Sequence, residues 1–202
     1  MINDMTSIAW HGPSSTHGGD EYGEMIVNLR RFLASLAASR PDLNTIQALS
    51  SSLDQWASRL RAFEVDEVHQ VYGRRTDLIG RGQATWPAVT FTHSDDDSLH
   101  GHVCFDRFFL GRNGVVHGGA ILFVFDEVVG RLANLGNRPL ARTAYLRADF
   151  RAPTPIEVQL AVSAKFTRED GRKRFLRVEL HHDGLLCAEA EVLMVALLPG
   201  QR

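Results

Sequence analysis

Apolar positions along the chain change period near residue 86. Before it, Tyr22, Met25, Ile26, Leu29, Phe32, Leu33 and Leu36 recur at helical spacing. That helix is expected to end near Ser39-Arg40-Pro41, because proline disfavours helical geometry in the residue before it. Asp42 is a good N-cap type for a second helix, whose apolar face is Leu43, Ile46, Leu49, Leu53, Trp56, Leu60 and Phe63. The two are expected to form a helical hairpin. Residues 66–85 are mixed in polarity, with Gly73, Gly80 and Gly82, and read as a linker and lid-like loop. Beyond them, short runs at 87–93, 98–105, 143–152, 157–166, 174–181 and 185–198 read as strands. Asp170-Gly171 and Asp183-Gly184 are hairpin signals between the last three. Ser94-Asp95-Asp96-Asp97 reads as a solvated turn rather than a metal cluster.

One segment breaks the strand series. Gly114-Val115-Val116-His117-Gly118-Gly119 opens a run, Ala120 to Gly130, that is apolar on every side apart from Asp126 and Glu127. Asn134-Leu135-Gly136 supplies its stop. A helix that is apolar all round is normally buried, and a sheet that buries it must curl around it. The pattern therefore predicts an α+β domain: an antiparallel sheet wrapped on one long helix. The expected organisation is a flexible tail at 1–20, a helical hairpin at 21–65, a linker at 66–85 and the main domain at 86–202.

Composition narrows the function. At 202 residues, 44% hydrophobic and 23% charged, the chain reads as an ordinary globular protein, one large domain or a domain with an extension. A net charge of -2 excludes nucleic acid as the main partner, since no basic excess exists to neutralise phosphates. Cys104 and Cys187 lie far apart, which fits reduced thiols and a cytoplasmic location. Residues 1–20 lack a basic start followed by an apolar run, so no secretory leader is expected. The apolar stretch at 120–125 is too short to span a membrane. No Cys/His set has zinc spacing, and neither a phosphate-loop motif nor a Gly-x-Ser-x-Gly elbow is present, so no metal or cofactor is expected.

The candidate chemistry lies in the central helix. Gly118, at its start, offers an unpaired N–H and the positive end of the helix dipole. Glu127 has Arg131 four residues later, the favourable order for a helical ion pair, whereas Asp126 has Gly130 there and gains no local cation. Asp126 is therefore the better candidate for chemistry. The tripeptide His117-Gly118-Gly119 is weak alone, because His17-Gly18-Gly19 repeats it without an apolar helix after it.

The arrangement Gly-x-x-His-Gly-Gly-x₆-Asp at Gly114 to Asp126, with Thr143-Ala144-Tyr145-Leu146 running on to Phe150-Arg151-Ala152-Pro153, resembles the hotdog-fold acyl-CoA thioesterases of the phenylacetate-pathway type and the mammalian thioesterase-superfamily proteins. The resemblance covers roughly residues 86–198. It implies hydrolysis of an acyl-CoA to free acid and CoA, with the Gly118 N–H polarising the carbonyl and Asp126 acting as general base or nucleophile. Eight helical residues separate these groups by roughly 12 Å along the axis, so one thioester carbonyl cannot meet both on the same helix. A second, antiparallel copy would complete the site, and the resemblance likewise implies a homodimer or larger homo-oligomer with shared sites. It also puts His117 near the bound thioester, as a contact or as a support for the turn, and Thr143 where relatives position water or the acid. Asn113, Gly119, Arg147 and Arg151 are candidates for substrate and CoA contact. One departure is Gly111, where related enzymes often carry Asn or Gln. It keeps two alternatives open: a hotdog protein that binds acyl-CoA or an acyl carrier without hydrolysis and, ranked last, a hotdog dehydratase.

Overall fold

The computed structural model describes residues 15–201. Six antiparallel strands form one sheet: β1 (Val89–Ser94), β2 (Ser98–Cys104), β3 (Ala141–Phe150), β4 (Gln159–Asp170), β5 (Lys173–His182) and β6 (Leu185–Ala196). Their order is β1-β2-β4-β5-β6-β3, so β1 and β3 are the two edges. The central helix α3 (Gly118–Ala133) packs against β2 to β6. This is the hotdog arrangement expected from the sequence.

Strand alternation explains the wrap. In β5, Arg174, Leu176, Val178 and Leu180 are buried while their neighbours are not, the period-2 signature of a sheet with one covered face. The covered face meets Ile121, Val124, Phe125, Val128 and Leu132 of α3, all at most 2% exposed. Full burial of each such side chain contributes about 1.5–3 kcal/mol. The hairpin turns use left-handed residues: Gly171 has φ 57°, and Asp183 and Gly184 have φ 47° and 81°.

The helix differs from its sequence reading in one respect. It is not covered on every side: Leu122, Phe123 and Asp126 share an outward face and are exposed in the single chain. Sheet packing needs only one side of a helix, so the second apolar face is left over. The helix stop is the expected one, with Gly136 left-handed at φ 66°, and a side chain adds to it. Asn134, the C-cap, donates from Nδ2 to the Gly130 carbonyl (2.7 Å) and accepts the Ala141 N–H on Oδ1 (2.7 Å). This one buried amide ties the end of α3 to the start of β3. Arg174 donates to the Ala133 carbonyl (2.5 Å), placing a buried cation at the negative end of the helix.

Ahead of the sheet lie α1 (Gly19–Ala38) and α2 (Leu43–Leu60). Asp42 caps α2, its Oδ1 accepting from the Thr45 N–H at 2.7 Å. Helix α1 buries Ile26 and packs on residues 79–82 and 107–109, whereas α2 buries no residue. Residues 1–14 of the expected tail lie outside the described residues, and 15–20 lead straight into α1. The other His-Gly-Gly precedes the mostly exposed helix α1 and sits one residue out of step. Gly18 is the N-cap there with no side-chain cap, while His117 is the N-cap of α3.

Candidate functional site

Two short backbone devices build the turn before α3. Asn113 and Gly114 both adopt left-handed geometry, with φ 53° and 76°, and Gly111 N–H donates to the Val115 carbonyl (2.9 Å). The turn is then pinned from both sides. Val116 N–H donates to Thr154 O (2.8 Å), Ile156 N–H to Gly114 O (3.1 Å), and His117 N–H to Phe109 O (2.8 Å).

His117 caps the helix, its Nδ1 accepting the Gly119 N–H at 3.1 Å. Gly119 permits this, because a Cβ there would lie 3.2 Å from that nitrogen. The Gly118 N–H, one residue earlier, has no acceptor among the described residues. It opens onto a groove of about 440 Å³ lined by Gly118, Ile121, Phe150, Arg151 and Thr154 among others. The Phe150 ring lies over Gly118, and a Cβ on the glycine would sit 3.2 Å from Cζ. The Thr154 hydroxyl is buried and unpartnered among the described residues. Sequence reasoning missed Thr154, the Asn134 bond to Ala141 and the Phe150 contact, for which no local pattern gives a signal.

The second half lies two turns along α3. Asp126 Oδ1 accepts from the Thr143 hydroxyl at 2.8 Å. Among the described residues Asp126 has no ion-pair partner, and its carboxylate is exposed in the single chain. Thr143 reaches it because of a β-bulge. The β3–β6 register shifts between Thr143 and Tyr145, so Thr143 opposes the buried Met194 and Tyr145 opposes Leu193. Without the extra residue Ala144, Thr143 would share the outer face with Tyr145 and Arg147. Thr143 Oγ1 also lies 3.2 Å from Met194 Sδ, but the carboxylate is the stronger acceptor for its single proton.

Glu127 is engaged elsewhere. It is 6% exposed and takes two arginines, Arg131 Nε at 2.7 Å and Arg81 at 3.0 Å. The carboxylates on consecutive residues therefore face opposite environments, Glu127 inward to cations and Asp126 outward to a hydroxyl.

The remaining candidates are spread out. Asn113 is exposed, and its side chain has no hydrogen bond among the described residues. Arg147 lies on the outer face of β3 with its guanidinium 4.6 Å from the Tyr145 ring centre. Arg151, just past the end of β3, pairs with Glu189 (2.7 Å) and Asp149 (2.9 Å). Hydrogen bonding to Glu189 and the charge of Asp149 raise its pKa. Gly111 sits close to the turn: a Cβ there would lie 3.2 Å from His117 Cα and 3.3 Å from Val115 O, so the backbone would shift by a few tenths of an ångström to admit one. Of the arginines at the β4–β5 hairpin, Arg174 caps α3 and Arg172 donates to Ala196 O. Among the described residues no group of three or more His, Cys, Asp or Glu is placed to hold a metal, and no helix is long and apolar enough to cross a membrane.

A curled sheet on an outward-facing acid helix defines a hotdog protein, and comparison with known proteins places it further. Residues 113–189 match the sequence model of the family described as "Thioesterase superfamily". That segment runs from the turn before α3 into β6. Among curated relatives, acyl-coenzyme A thioesterase THEM4 of Xenopus laevis is 31% identical over 93 residues, covering 44% of this chain and 40% of that protein. The chain thus spans about two fifths of the length of the curated relatives it matches. A crystal structure of a thioesterase superfamily protein superposes with a TM-score of 0.75 at 24% identity, over 91% of this chain and 93% of the other, which establishes the fold. A phenylacetic acid degradation-related protein from Ralstonia eutropha is similar over 54% of this chain and 84% of its own, at TM-score 0.50 and 25% identity. The first comparison extends over the N-terminal helices as well as the sheet.

Proposed function

We propose that the chain is an acyl-CoA thioesterase whose sites are completed between two copies. The observation that carries this reading is the pair of half-sites on α3: a Gly118 N–H without an acceptor, and an Asp126 carboxylate held by Thr143 on the outward face. They are roughly 12 Å apart along one helix, too far for one carbonyl. Two features favour a second copy. β3 is an edge strand with one free row of backbone groups. Beside it, Leu122, Phe123 and Asp126 form an uncovered face that a two-fold partner can bury against its own copy.

In this reading Gly118 of one copy donates to the thioester oxygen, and the helix N-terminus favours the charge that develops there. Asp126 of the other copy takes a proton from water. The water oxygen bonds to the carbonyl carbon, the C–S bond breaks, and CoA leaves with that proton as a thiol. Thr143 donates to Asp126 and keeps its lone pairs for the water. His117 holds the Gly119 N–H, which leaves the Gly118 N–H to the substrate. Direct attack by Asp126 through an anhydride uses the same geometry. Asn113, exposed in the turn, and Gly119, in the first turn of α3, are the further substrate contacts in this reading. Of the two arginines, Arg147 is the better phosphate contact, because Arg151 is occupied by Glu189 and Asp149.

Gly111 favours a second reading, a binding protein that does not turn over, since the amide frequent in relatives is absent there and a Cβ would press on the backbone of the turn. The test is CoA release by the purified chain on an acyl-CoA panel, read by thiol detection. The hydrolase reading expects turnover that Asp126→Asn lowers by a hundredfold or more. Tight binding with background release, unchanged by Asp126→Asn, supports the second reading and overturns the first.

A further inference from the structure

The segment read as a linker and lid-like loop is fastened to α3 at two points, the inward Glu127 and the outward Phe123. Gly80, Arg81 and Gly82 are all left-handed, with φ 63°, 55° and 70°, an arrangement that needs external support at the non-glycine residue. Support comes from two directions. Arg30 of α1 donates to the Gln83 carbonyl (2.7 Å) and the Ile79 carbonyl (3.3 Å). Arg81 pairs with the buried Glu127 at 3.0 Å, beside Arg131, and its guanidinium lies 5.6 Å from the Trp86 ring centre.

This latch fixes Trp86 against Phe123, with ring centres 4.9 Å apart. Phe123 is 48% exposed, on the same helix face as Asp126 and one turn before it. Three residues are ~4.5 Å of helix rise. Asp126 thus has a hydroxyl, Thr143, as its hydrogen-bond donor and an aromatic pair one helical turn away on the same face. Water belongs on the polar side and a hydrocarbon chain on the apolar side. The pair therefore stands across the path of that chain close to the reacting carbon. Nor does the fold explain why residue 86 is Trp. Its indole N–H is buried without an acceptor among the described residues, a cost a phenylalanine would not carry.

Resting on the thioesterase reading, we propose that Trp86 and Phe123 form the end wall of the acyl site, restricting it to short acyl groups. The N-terminal region is then a specificity element, holding the wall through Arg30, Arg81 and Glu127. Without Trp86 the wall opens toward residues 79–86 and longer chains enter.

Binding and turnover are measured separately. The probes are non-hydrolysable thioether analogues of acetyl-, butyryl-, decanoyl- and palmitoyl-CoA, titrated calorimetrically into the full chain. The wild type is expected to bind the palmitoyl analogue at least tenfold more weakly than the butyryl one. Trp86→Ala and Phe123→Ala should each remove that difference, and Trp86→Phe should keep it. Equal affinities across the series in the wild type, or an unchanged ratio in both alanine variants, overturns the wall. If Trp86→Ala does not fold, Phe123→Ala carries the same readout on the opposite ring. A shifted ratio without CoA release from any acyl-CoA leaves the wall standing and sinks the hydrolase reading. Absence of binding by any analogue contradicts both.

Discussion

Asp126 and Glu127 are neighbours with opposite fates, decided by rotation about one helix. Glu127 points into the protein between Arg81 and Arg131, and its loss takes the carboxylate from the buried Arg131. Glu127→Gln is expected to cost about 3 kcal/mol of stability. A melting curve should show a fall in Tm of roughly 6–12 °C, with residual turnover well above that of Asp126→Asn; the reverse ranking in activity would reassign the acid. Thr143→Val keeps shape and removes the donor to Asp126. We expect kcat to fall about tenfold, the worth of one charge-assisted hydrogen bond of roughly 1.5 kcal/mol, with KM little changed. An unchanged kcat would remove Thr143 from the mechanism. The pairing of Glu127 with Arg131 was legible in the sequence, because Arg131 stands four residues after it. Arg81 was not, since nothing local reveals a partner 46 positions upstream on a left-handed turn.

At the scale of elements, periodicity located α3 and all six strands. What it could not locate are the places where the period slips. The bulge at Ala144 turns Thr143 inward, and bulges leave no composition signal in a strand of otherwise ordinary residues. Asn134 is similar: it reads as a helix stop, but its amide also clamps β3 to α3. Asn134→Ala is expected to lose about 1–3 kcal/mol, because the Ala141 N–H stays buried without an acceptor. The acidic turn after β1 has a testable pH signature. Asp95 accepts N–H groups from Asp97 and Ser98, at 2.9 and 2.7 Å. These bonds, the Asp97 N–H first, lower its pKa from 3.8 to about 2. A depressed folded pKa means stability that is present above the unfolded value and lost as pH falls through the folded one. The stability gap between wild type and Asp95→Asn should therefore be full above pH 3.8 and shrink toward pH 2. A gap independent of pH across that window would contradict the assignment.

For the molecule as a whole, the uncovered parts are as informative as the core. α3 and the edge strand β3 leave Leu122, Phe123 and Phe150 outward, next to both half-sites. α2 presents Leu43, Ile46, Leu53, Trp56 and Leu60 to solvent. The sequence shows both apolar faces as helical stripes. It does not show which of them the sheet would leave open, because that depends on how far six strands can wrap one helix.

The central claim is that Gly118 of one copy works with Asp126 of another. Subunit complementation tests it most directly, using Asp126→Asn and Gly118→Val, the latter crowding Phe150, each inactive alone. Co-refolded in equal amounts, the two should recover about a quarter of wild-type turnover, since half the dimers are mixed and each mixed dimer holds one intact site of two. If mixed dimers form and the mixture stays as inactive as either variant, both groups act within one chain and the shared site is wrong.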